Sequence, residues 1–155
     1  MKRILGRISK EVVNKYDLQE HEDKKIVLYD NDRRHCENKH AHQFKDKKTF
    51  HYIMNHLEYI IEEPDLVFYV KGYDVIYDKE TKTKSKVERY SLEYYKKFED
   101  DVTVRVKVDD GRELRVKTVF PVNGEKVKNK LKAEIYNKYV MSEDEFKERN
   151  NLQMQ

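Results

Sequence analysis

Five of the six histidines lie between His35 and His56, and imidazole is the side chain whose proton comes and goes near neutral pH. A histidine held in place can take a proton from one oxygen and return it to another, as ribonuclease chemistry requires. On a helix, His35, Lys39 and His42 share one stripe at i, i+4 and i+7, while His40 lies about 140° round the axis from His35. Both rings cannot face one phosphate on an ideal helix without a break near Asn38, which ranks His35 above His40 as proton carrier. The plainer reading makes His40, on the stripe of Cys36 and Phe44, a hydrogen-bonded core residue, with His42, His51 and His56 at the surface. His40 with His42, or His51 with His56, could also ligate a metal. No HExxH, paired cysteine or carboxylate-rich spacing accompanies them, so no metal and no cofactor is expected.

The second chemical feature is the hairpin from Val102 to Phe120. Val102, Val104, Val106 and Val108 point one way and Thr103, Arg105 and Lys107 the other. Leu114, Val116 and Phe120 continue the apolar face on the partner strand, which leaves Arg115 and Lys117 beside Arg105 and Lys107. Four cations on one face repel unless the face is solvated or meets an anion such as a phosphate backbone. In the strand ending Tyr94-Tyr95-Lys96-Lys97, alternation turns Glu93, Tyr95 and Lys97 outward, Tyr95 to stack on a base and Lys97 to neutralise phosphate. Tyrosine is also an ordinary strand former with a wet hydroxyl.

The elements that must position these groups are legible from periodicity. Ser9 caps a short helix to about Leu18, a brief apolar run covers Ile26 to Tyr29, and Asp30 to Asp32 open a histidine-rich helix from Arg33 to about Phe44. Thr49 caps a helix through Phe50, Ile53, Leu57, Ile60 and Ile61 that Pro64 stops. The period then changes to alternation, predicting strands at Leu66 to Lys71, Tyr73 to Asp78, Arg89 to Phe98, Val102 to Val108 and Arg112 to Phe120. Gly72 and Asp109-Asp110-Gly111 mark turns, and the polar Lys79 to Lys86 reads as a hairpin loop. Asn123 opens a last helix with Val127, Leu131 and Ile135, and Ser142 with Glu145 forms a capping box. The expectation is an α+β fold: N-terminal helices, a four- to five-stranded antiparallel meander, then a C-terminal helix. Residues 1–140 would form one domain and 141–155 a helical tail.

Composition agrees with one modest core. Charged residues make up 41% of 155 and the hydrophobic set 37%, a balance that would favour disorder if the apolar residues were scattered. They fall instead into periodic blocks, and 12 Tyr and 6 Phe bury large areas each. A net charge of +3 hides 33 cations against 30 acids, so where the cations cluster matters more than their sum. One cysteine, Cys36, excludes an internal disulfide. Nothing in Met1 to Asp30 reads as a signal peptide or membrane span, so the expected compartment is the cytoplasm.

Together these residues resemble the phage and mobile-element nuclease-like domains grouped with barnase, EndoU, the tRNA-cleaving colicins and RelE, often called the BECR class. The matching pieces are Gly6-Arg7-Ile8-Ser9-Lys10-Glu11-Val12, the pair His35 and His40 in RRHCENKH, Ile60-Ile61-Glu62-Glu63-Pro64-Asp65, the strand ending YYKK, and VKTVFP at Val116 to Pro121. The pieces run in order along the chain, and the resemblance spans most of it, from about Gly6 to Lys130. The resemblance implies a metal-independent ribonuclease in which the ribose 2′-hydroxyl attacks the adjacent phosphate to leave a cyclic phosphate. His35 and His40 would match the family histidines, Lys97 or Lys96 the strand lysine facing phosphate, and Thr118 the hydroxyl residue of the last strand. Arg105, Lys107 and Arg115 would hold the RNA backbone. Simple alternation places Thr118 on the apolar side with Val116, so either the strand is bulged or Thr118 is structural.

The partner implied is RNA, tRNA included, with a cognate inhibitor or immunity protein if the activity is toxic, and no membrane. The alternative function is a non-catalytic module on the same fold that binds nucleic acid or protein.

Overall fold

The structure, a computed structural model, describes residues 1–98 and 102–122. The expected C-terminal helix, capping box and tail lie outside the described residues.

The chain opens with a strand rather than a helix. Strand β1 (Lys2–Arg7) pairs antiparallel with β2 (Lys25–Tyr29), and helix α1 (Lys10–Tyr16) bridges them. Ser9 caps α1 as predicted, accepting from the Val12 amide at 3.2 Å, and Asp17 ends it in the left-handed region at φ 59°. The N-terminal strand escapes pattern reading because only Leu5 of KRILGR is buried, at the edge of the sheet. Arg3 fastens this edge, its guanidinium donating to both Glu58 carboxylate oxygens at 2.8 and 2.6 Å and to the Met54 carbonyl at 3.0 Å.

Four further strands, β3 (Leu66–Asp78), β4 (Thr83–Lys97), β5 (Thr103–Asp110) and β6 (Leu114–Val122), form the expected antiparallel meander. The sheet they complete has the order β1-β2-β6-β5-β4-β3 and is mixed, because β2 pairs parallel with β6 at Ile26–Leu114 and Val27–Arg115. Gly72 makes no turn: β3 runs unbroken and pairs with β4 from Leu66–Tyr95 out to Asp78–Thr83. The predicted loop at Lys79 to Lys86 shortens accordingly, since Thr83 to Lys86 belong to β4.

Helix α2 (Asp30–His40) follows β2 directly. The single predicted helix after it is two, α3 (Lys47–Asn55) and α4 (Leu57–Glu62), broken at His56. Asp46, not Thr49, caps α3, accepting from the Thr49 amide and hydroxyl at 2.7 Å each. The helices cover one sheet face, where Phe50, Ile53, Leu57 and Ile60 meet Leu92, Tyr94, Val104, Val106 and Val108. The opposite face holds a small apolar cluster of Leu66, Phe68 and Tyr95, and beside it a charged groove. No helix among the described residues is long and apolar enough to cross a membrane.

A polar network ties the turn after α1 to the sheet. The Asp110 carboxylate lies 2.5 Å from His21 Nε2 and accepts from the Tyr69 hydroxyl at 2.5 Å. Burial, then this hydrogen bond, pushes the Tyr69 hydroxyl well above the ordinary tyrosine range. Asp110→Ala strands both partners, so urea unfolding should show a loss of about 3 kcal/mol. A loss below about 1 kcal/mol, the size of a surface pair, would sink this account.

Candidate active site

The edge of β6 decides where the site lies. Strand β2 covers only Leu114 and Arg115, and beyond it α2 runs beside β6 in the same direction. Eleven residues of helix rise about 16 Å and five of strand advance about the same, so the two stay in step. Asp32, Cys36 and His40 form the helix stripe that faces the strand: Asp32 meets Arg115, the Cys36 thiol donates to the Lys117 carbonyl at 3.7 Å, and His40 reaches Phe120. Burial raises the Cys36 thiol to about 11, so it stays protonated and acts as a buried apolar group rather than a nucleophile.

A bulge resolves the position of Thr118. Lys107 pairs with Thr118 but Val108 pairs with Val116, so Lys117 is the extra residue and the alternation of β6 reverses after it. Val119 is therefore buried in the core, whereas Thr118 and Phe120 turn to the face of Lys107 and Arg105. The expectation that Phe120 lies on the apolar side is corrected by the same residue. Three rows now cross β4, β5 and β6: Ser91–Asp109–Arg115, Glu93–Lys107–Thr118 and Tyr95–Arg105–Phe120.

Around Phe120 the groups gather. The His40 ring stacks on it with centroids 5.3 Å apart, and the Arg105 guanidinium carbon lies 4.0 Å from its centroid. His35 and His40, expected to diverge, have ring centroids 6.1 Å apart. The ideal-helix argument fails because His40 is the last residue of α2 and has relaxed to φ −125°, ψ −14°. Their surroundings differ: His35 is exposed, whereas His40 is held by Phe120 and by Gln43, whose Oε1 lies 3.1 Å from its Nδ1. With Nδ1–H donating to Gln43, the neutral ring presents Nε2 as the acceptor.

Two polar atoms on this face, Arg105 Nε at the Phe120 ring and Thr118 Oγ1 in the neighbouring row, are buried without a hydrogen-bond partner among the described residues. Arg105 also sits 3.5 Å from buried Glu93, so its charge is partly compensated. Lys107 stands directly between Glu93 and Thr118 and makes no ion pair among the described residues. Glu93, Lys107, Lys117 and Thr118 line a groove of about 490 Å³ that the β3–β4 ribbon closes with Lys71, Tyr73, Asp74 and Arg89, and Arg105 and Phe120 stand in the next row of the same face.

Other predicted residues stand differently. Lys97 lies two rows and two strands from Thr118, about 16 Å by sheet spacings, and its amide donates to Asp65 at 2.6 Å. The strand lysine that pairs directly with Thr118 is Lys107. Lys96 points to the helix side, donating to the Glu63 carbonyl at 2.6 Å and lying 4.4 Å from the Tyr59 centroid, so it anchors the end of α4. Tyr95 faces the groove side as predicted but is buried against Phe68 and Leu66, which removes it as an open stacking surface. Arg115 and Lys117 are on the face as expected, and Asp32 pairs with both, at 2.5 and 3.7 Å. Sequence reading gave Asp32 only a capping role, and its i, i+4, i+8 spacing with Cys36 and His40 was the available signal. Among the described residues no group of three or more His, Cys, Asp or Glu side chains converges as metal ligands.

One family model, described as phage-Barnase-EndoU-ColicinE5/D-RelE like nuclease3, matches residues 2–129. No curated protein and no solved structure matches the chain.

Proposed function

The chain belongs to the phage-Barnase-EndoU-ColicinE5/D-RelE like nuclease3 family, and from that premise we propose that it is a metal-independent ribonuclease acting through His40, Arg105, Lys107 and Thr118. The single observation that supports this most is the gathering of a fixed imidazole and a guanidinium on Phe120, with an unpartnered Thr118 hydroxyl in the neighbouring row of the same face.

In the step we assign, His40 Nε2 takes the proton of a ribose 2′-hydroxyl. The 2′-oxygen bonds to the adjacent phosphorus and the bond to the 5′-oxygen breaks, leaving a 2′,3′-cyclic phosphate. His35, the neighbouring ring, returns a proton to the departing 5′-oxygen. Arg105 and Lys107 meet the charge that grows on the phosphoryl oxygens, and the Thr118 hydroxyl donates to one of them. Arg115 and Lys117, each already sharing Asp32, hold flanking phosphates, while Lys97 stands too far off to touch the same one. The nucleophile belongs to the substrate, so the step needs no activated water. RNA, tRNA included, is the partner on this reading, and the place of action is the cytoplasm. A toxic activity would require an inhibitor protein.

Incubation with bulk tRNA in excess EDTA is expected to yield fragments ending in 2′,3′-cyclic phosphate, with DNA left intact because it lacks the 2′-hydroxyl. RNA bound but uncleaved would leave a binding module on a nuclease fold, and EDTA-sensitive cleavage would overturn the proposed chemistry.

A further inference from the structure

The distal part of the β3–β4 hairpin leaves the sheet, since β5 accompanies β4 only from Tyr90 to Lys97. Its two faces differ in chemistry. Pairing sets Lys71 opposite Tyr90, Tyr73 opposite Glu88, Val75 opposite Lys86 and Tyr77 opposite Lys84 on one face. The other carries Asp74, Ile76 and Asp78 with Thr83, Ser85, Val87 and Arg89. Lysines thus collect with tyrosines, and two of the three carboxylates with the face that borders the catalytic groove. Glu88, the acid on the tyrosine face, is held by Lys71 at 2.7 Å, while Lys84 and Lys86 make no ion pair among the described residues. Tyr73, Val75 and Tyr77 are 58%, 62% and 53% exposed.

A row of exposed aromatic and apolar groups on an unsupported ribbon is unfavourable unless something meets it. A second copy docked face to face on a two-fold axis would bring one lysine-bearing face against another, with Glu88, already held by Lys71, as the one acid on each. A polynucleotide suits both components, because bases stack on tyrosine whatever their sequence and phosphates pair with the interleaved lysines.

We propose that the Val75–Tyr77 end of this ribbon face, with Lys84 and Lys86, is a second RNA-binding surface that holds a part of the substrate beyond the catalytic groove, whose lining stops at Lys71, Tyr73 and Asp74. The proposal rests on the reading of the groove as an RNA site. Tyr77 is eleven residues along β3 from the partner of Tyr95, about 36 Å of extended strand from the Arg105–Phe120 row, so the reacting groups and this surface grip separate parts of one folded RNA.

The test uses full-length protein in two assays. Binding of bulk tRNA is measured in a His40→Ala background, and cleavage of a ribodinucleotide, too short to leave the groove, is measured with His40 intact. Lys84→Glu with Lys86→Glu should weaken tRNA binding more than tenfold and flatten the dependence of log affinity on log salt by about 1.5. Tyr77→Ala should weaken it about tenfold with the salt slope unchanged. Dinucleotide cleavage should match the parent in each case. Lys84→Gln with Lys86→Gln removes the same charges without adding repulsion and should shift binding in the same direction. If the parent cleaves RNA and all variants bind tRNA equally, the ribbon surface is wrong and the groove reading stands. If the parent neither binds nor cleaves RNA, both fall. Loss of a dimer in sedimentation by Tyr77→Ala, with RNA affinity intact, assigns the face to self-association and overturns the proposal.

Discussion

Replacement of His40 by alanine lowers the rate of RNA cleavage about 10²- to 10⁴-fold, the range general acid–base catalysis supplies. The expectation follows from how the ring is held. Phe120 fixes its plane and Gln43 its Nδ1, so Nε2 is presented to the substrate in one orientation. His35→Ala should cost less, because that ring is exposed and its described ring contact is with His40 itself. Exogenous imidazole should restore part of the rate to His40→Ala, a rescue that a packing defect would not give. Greater damage from His35→Ala than from His40→Ala would return the proton-carrying role to the order an ideal helix suggests.

The contrast between these histidines shows what sequence periodicity reads well and where it stops. Interior segments with a strong period were legible: Val104, Val106 and Val108 alternate into the core, and Ser9 caps α1 where its side chain says it should. Site positions depended on departures from the period. One extra residue, Lys117, reverses the facing of Thr118 and Phe120, and relaxed torsions at His40 bring its ring near His35. Neither departure has a local cost large enough to mark the sequence, since a bulge needs no glycine and a helix end needs no special residue. The β1 and β2 strands were missed for a different reason. Their pairing joins residues 2–7 to 25–29 and then 26–27 to 114–115, and no short window contains those partners. Charge was misjudged the same way: the four cations of the hairpin are neighbours in sequence, whereas Asp32, which partners Arg115 and Lys117, comes from α2.

Arg105 carries the other large effect. Arg105→Ala should lower kcat about 10²- to 10³-fold, the cost of removing one preorganised group from a site of developing negative charge. The same substitution touches stability, because Glu93 is buried and loses a cationic partner 3.5 Å away. The Arg105 side chain is a quarter exposed, so the loss should be about 2 kcal/mol rather than the larger figure for a fully buried pair. The two consequences can be separated. Adding Glu93→Gln neutralises the stranded carboxylate while leaving an oxygen to accept from the Tyr95 hydroxyl, so the double variant should regain most of the unfolding midpoint. Its kcat should stay low, because the guanidinium beside Phe120 and His40 is still missing. Arg105→Lys should fall between, since an ammonium keeps the charge and loses the planar fork that lies against the ring and meets two oxygens at once. Recovery of cleavage together with the midpoint in the double variant would mean that Arg105 serves the fold alone, and the phosphoryl charge would then fall to Lys107, directly opposite Thr118.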